Sequence, residues 1–199
     1  MIFIRKVICA TALVCCSIFA AQPGAEKPVT PVPVPREMLD GANLLIKTAG
    51  CSIALPGAGW AWMTYEKAGR NYLCLNSRTL EIYGVSVGEL KGDILVAHQP
   101  ESLIANEKKK VEGAGGKLES DKWEFIDVPD VKKAARVTFT ETDKSGKKLL
   151  ASIYLINTRE HTLLNIHCTG PYAAEPEAFK TMVKSLKMIK DPAETKDKK

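Results

Sequence analysis

At 199 residues, 45% hydrophobic and 26% charged, the chain is long enough for one domain with a proper core and too short for two. Its 28 basic and 23 acidic residues give a formal charge of +5, part of it from Arg5 and Lys6 near the N-terminus. The other bases are scattered, with one tight run at Lys108-Lys109-Lys110, so charge gives no case for a nucleic-acid partner.

Residues 1–21 read as a signal peptide. Arg5 and Lys6 form a positive n-region, Val7 to Phe19 an apolar stretch, and Ala20-Ala21 a small-residue cleavage point. The stretch falls short of the roughly 20 apolar residues that span a bilayer. Leu13-Val14-Cys15-Cys16 loosely resembles a lipoprotein signal, in which Cys16 would carry the lipid; Cys15 stands where Gly, Ala or Ser is expected. Residues 22–36 hold Pro23, Pro28, Pro31, Pro33 and Pro35 and are expected to form an extended, coreless linker.

The domain is expected over 37–190, followed by a polar tail at 191–199. Met38, Ala42, Leu45 and Ala49 recur at helical spacing, with Gly50 as a left-handed stop, and predict a first helix. Strands are predicted over 51–55, 60–66 and 71–76, the last two as a hairpin, and over 80–87. Residues 100–114 carry Leu103, Glu107, Lys110, Val111 and Ala114 and predict a solvent-lying helix before Gly115-Gly116. Strands follow over 117–128 and 134–141, with Ala135, Val137 and Phe139 on one face. Residues 149–156 are apolar on both faces and predict a central strand. A strand over 161–169 precedes a last helix from Pro176, striped by Phe179, Met182, Val183, Leu186 and Ile189. Short turns between consecutive strands make them antiparallel. The fold class is α+β, an antiparallel sheet flanked by helices in an α/β/α sandwich.

Gly84-Val85-Ser86-Val87-Gly88 fits the G-x-S-x-G nucleophile elbow, which needs a sharp strand-to-helix turn to project its serine. No convincing helix follows Gly88, and the chain lacks the alternating pattern of a hydrolase sheet. His161 and His167 share one predicted strand and one parity about 20 Å apart, too far to share a metal; His98 stands alone. No C-x-x-C, H-E-x-x-H or acidic calcium loop is present, so no catalytic, cofactor-binding or metal residue is assigned and no cofactor is expected. Trp60 and Trp62 are expected in the core, and the Lys108–Lys110 run on a solvated helix face. Three of the six cysteines lie in the leader. Among Cys51, Cys74 and Cys168 at most one disulfide is expected. Cys51 and Cys168, both at strand ends, are the favoured pair, with three reduced thiols as the alternative.

The order of elements, from Ile53-Ala54-Leu55-Pro56 and Gly59-Trp60 through the mid-chain helix to Leu163–Thr169 and Phe179–Leu186, resembles the PsbP-like superfamily over residues 50–190. That superfamily includes a photosystem accessory protein, a nuclear-transport factor that binds the GTPase Ran, and bacterial envelope proteins of the DcrB kind. The resemblance implies a non-catalytic binding or assembly module and transfers no site. The expectation is an exported, non-enzymatic accessory protein of the cell envelope, periplasmic or extracellular, engaging a partner protein or an apolar ligand. It meets a membrane only through lipidation at Cys16. The alternatives are a small secreted serine hydrolase with Ser86 as nucleophile, and a structural accessory subunit with no small-molecule ligand.

Overall fold

The computed structural model describes residues 30–65, 70–89, 99–131, 133–159 and 161–189. The signal peptide, Cys16, His98 and the tail lie outside these residues.

Two antiparallel meanders build the main sheet. The first consists of β5 (Trp60–Tyr65), β6 (Asn71–Asn76) and β7 (Ile82–Glu89). Helix α1 (Gln99–Gly113) follows β7 in the chain and leads into β8 (Lys117–Phe125). The second meander, β8, β9 (Lys133–Thr142), β10 (Lys148–Arg159) and β11 (Thr162–Gly170), runs back until β11 pairs with β7. With β1 (Pro31–Pro33) the order is β1-β5-β6-β7-β11-β10-β9-β8, all antiparallel. The strand read as central, β10, is indeed flanked on both sides and buried along most of its length.

One face of this sheet carries α1 over Ala135, Val137, Phe139, Ile153 and Leu155. Leu103 and Ile104 of the helix pack on that cluster, while Lys108 and Lys109 face solvent as the sequence pattern predicts. The other face is covered by α2 (Glu177–Lys184) and a four-stranded sheet of β12 (Lys187–Met188), β4 (Cys51–Ala54), β3 (Asn43–Ile46) and β2 (Leu39–Asp40). Between them lies the larger core, centred on fully buried Tyr83. Trp60 stacks on its ring at 4.7 Å and Phe179 meets it edge-on at 5.1 Å. Trp62, also buried, donates its indole N–H to the Ala42 carbonyl at 3.2 Å. Ser185 Oγ donates to the Met182 carbonyl at 2.6 Å and accepts the Ala54 N–H at 2.9 Å, fixing the end of α2 to β4. The architecture is thus the α+β sandwich of antiparallel sheets flanked by helices. Among the described residues no helix is long and apolar enough to cross a membrane.

Two expectations are corrected. The first predicted helix is a 3-10 turn (Arg36–Met38) and the hairpin β2–β3. Leu44 and Ile46 are wholly buried at two-residue spacing, and Gly41, at φ 59°, turns the chain between Asp40 and Asn43. Burying that alternation against the main sheet outweighs the weaker helical stripe. The linker expected over 22–36 also ends early. Pro31–Pro33 pair with Tyr65–Met63 and Val34 is buried, because an edge strand tolerates prolines whose missing N–H faces away from the ladder.

Candidate functional site

Gly84, Ser86 and Gly88 alternate along β7 and so share one face, the one that carries α1 further along the sheet. Across the ladder to β11, His167 stands opposite Gly84, Asn165 opposite Ser86 and Leu163 opposite Gly88. The imidazole of His167 occupies the space that a Cβ on Gly84 would fill. Glycine is required there by close approach, not by an unusual φ.

Ser86, Asn165 and His167 are 7%, 2% and 6% exposed. Ser86 Oγ, Asn165 Oδ1 and both ring nitrogens of His167 have no hydrogen-bond partner among the described residues. Burial holds the His167 pKa down at about 4, so near neutral pH the ring is uncharged, with one donor and one acceptor nitrogen. Three desolvated polar groups therefore gather on one patch, where each unpaired atom costs on the order of 1–3 kcal/mol.

This arrangement is not a hydrolase site. Ser86 lies flat within a regular ladder, opposite Asn71 on one side and Asn165 on the other, and not on a strand-to-helix turn. Because Ser86 Oγ and His167 both lack partners, they do not bond to each other and form no nucleophile–base pair. A base this reluctant to protonate is also poorly matched to neutral-pH proton transfer. The nucleophile reading of Ser86 is overturned. Asn165 went unnoticed in the sequence, and its convergence with Ser86 and His167 depends on strand register.

The remaining candidates separate. His161 sits in the turn before β11 at φ 63°, not on the strand. No group of three or more His, Cys, Asp or Glu among the described residues could hold a metal. Cys51, Cys74 and Cys168 are buried thiols, none of them in a disulfide. Cys51 belongs to the four-stranded sheet, whereas Cys74 and Cys168 flank Tyr83 from either side in the main sheet. The favoured Cys51–Cys168 bridge is absent, and the three thiols are those of the alternative.

The two edges of the main sheet differ sharply. β1 is three residues long with a proline at each end, and it borders a groove of about 310 Å³ lined by Val32, Pro35, Met38, Tyr65 and Tyr72 among others. β8 is nine residues long without proline, and exposed except at half-buried Leu118. Near its end Trp123 (36% exposed) and Phe125 (58%) meet edge to face at 5.2 Å. On its other face Glu124 pairs with Arg136 at 2.6 Å. Arg136 reaches toward Glu175 at 3.9 Å, a carboxylate that also accepts hydrogen bonds from the hydroxyls of Ser152 and Tyr154. This network braces the edge against the segment that enters α2.

No family model and no curated protein matches the chain. Among solved structures, the chain is similar to the Saccharomyces cerevisiae Ran-binding protein Mog1p. Identity is 14% and the TM-score 0.47, over 81% of this chain and 97% of that one. A mutant of protein Mog1 matches at 14% identity and TM-score 0.44, over 84% and 98%. These findings correct the expected kinship. Both matches are to a Ran-binding protein and neither is to an envelope protein of the DcrB kind, and no envelope, periplasmic or lipid-anchored role is assigned.

Proposed function

We propose that the protein is a non-catalytic accessory module that binds a protein partner along the outer edge of β8. One observation carries the reading: a nine-residue edge strand left open among the described residues, bearing an exposed aromatic pair, opposite an edge that is short and capped by prolines. Open edges offer unpaired N–H and C=O groups to an incoming strand, and proteins ordinarily blunt them. Aromatic side chains beside such an edge supply the apolar anchors that partner strands use. The flat placement of Ser86 and its lack of any bond to His167 support a role without catalysis. An apolar ligand against the sheet would have the groove beside β1, near the lower limit of small-molecule sites at about 310 Å³, and is the weaker reading.

The test is quantitative crosslinking in the source cells, comparing wild type with Trp123→Lys. Because Trp123 is exposed at the edge, the variant keeps its fold, and partner crosslinks to 117–125 should disappear. Identical crosslinks from a folded variant would overturn the reading.

A further inference from the structure

Resting on that docking reading, we infer that the partner along β8 is a second copy of this chain, paired antiparallel about Trp123. In a continuous sheet, opposing residues point to the same face. Two copies related by a two-fold axis through the sheet must therefore set one residue against itself. This condition leaves few registers for Lys117–Phe125, and charge decides among them.

Centring on Asp121, Lys122 or Glu124 places like charges directly opposite, which is unfavourable. Centring on Ser120 runs the pairing into the irregularity between Leu118 and Ser120. Centring on Phe125 carries half of it beyond the strand's end. Centring on Trp123 sets tryptophan against tryptophan and pairs Lys122 with the second copy's Glu124 twice over. Phe125 of each copy then lies diagonal to the other's Trp123, so the exposed aromatic pair becomes a cluster of four rings on the face that bears α1. On the opposite face the Lys122–Glu124 pairs extend the existing Arg136–Glu124 ion pair.

The product is a sheet continuous through both copies, eight strands from each. Two edge strands bury little area beside the ~1,200–2,000 Å² of standard interfaces, so the dimer is weak and concentration-dependent.

Sedimentation equilibrium of the full chain over a wide concentration range tests this. Wild type should pass from monomer to dimer. Lys122→Glu and Glu124→Lys should each weaken association about tenfold, because each sets like charges across the interface. Mixing the two single variants should restore it, since both cross-strand pairs are then of opposite sign. Should Glu124→Lys fail to fold for loss of its Arg136 pair, Trp123→Lys leaves that pair intact and should be monomeric. A wild type that stays monomeric, a dimer indifferent to these substitutions, or a mixture that does not recover would each overturn the second copy as partner. If the Trp123→Lys crosslinks in cells also remain those of wild type, the docking reading falls with it; if they vanish, only the partner's identity was wrong.

Discussion

Protonation of His167 is the perturbation whose consequence can be worked furthest from the structure. Its ring is 6% exposed on β11, between Gly84 of β7 and Ile153 of β10. The groups beside it on that face, Gly84, Ser86, Asn165 and Ile153, bring no charge, and burial alone moves its pKa from 6.5 to about 4. The unfolded chain accepts a proton near 6.5 while the folded chain declines it until about 4. This contribution to stability is therefore fully present above the ordinary histidine pKa and is lost as pH falls through the window between the two values. At 1.36 kcal/mol per tenfold, the loss is about 2 kcal/mol near pH 5 and about 3 kcal/mol near pH 4. Urea unfolding across that range, in wild type and in His167→Gln, measures it. Carboxylates titrate in both proteins, so the difference between the two curves isolates the imidazole. That difference should shift by about 2 kcal/mol against wild type between roughly pH 7.5 and 5. A difference constant with pH would refute the claim that the ring is held neutral by burial.

Other expectations follow from single contacts. Gly84→Ala drives a methyl group into the imidazole and should cost ~1–3 kcal/mol by urea unfolding, a penalty that His167→Ala should relieve in a double-mutant cycle. Glu175→Ala removes the acceptor of Ser152 and Tyr154 and a partner of Arg136 from a site where its side chain is 10% exposed; it should cost about 2 kcal/mol in the same assay. Non-reducing peptide mapping should recover Cys51, Cys74 and Cys168 alkylated after denaturation and unreactive before it. Burial raises the Cys51 pKa to about 12 and that of Cys74 further, leaving little thiolate. A Cys51–Cys168 peptide would refute this.

Strands after residue 50 were legible because their side-chain alternation is local. Ala135, Val137 and Phe139 share a face in the sequence and share the core beneath α1. Residues 37–50 misled because two periods coexist there. Met38, Ala42, Leu45 and Ala49 suit a helix, while Leu44 and Ile46 suit a strand. The left-handed Gly41 breaks the tie, since it opens the two-residue turn of a tight hairpin between Asp40 and Asn43. The prolines of β1 misled for a different reason. Whether a strand tolerates proline depends on its lying at an edge, which is a property of topology.

The same distinction governs the sites. In a strand, G-x-S-x-G means that a glycine, a serine and a glycine project to one side, clearing room for a neighbour's side chain. Here the neighbour is His167, and its identity follows from a register with β11 about eighty residues further along the chain. No local motif contains that information, so the five residues resemble an elbow until the ladder is known. β8 inverts the case. Lys117, Glu119, Asp121, Lys122 and Glu124 put charge on both sides of one strand, and such a strand cannot lie inside a sheet whose faces are both covered. Its edge position was thus written in its composition. Trp123 and Phe125 are then the anomaly, two large aromatics left half in water on a strand otherwise made for solvent. An edge that carries both opposed charges and unburied rings is better suited to meeting another strand than to repelling one.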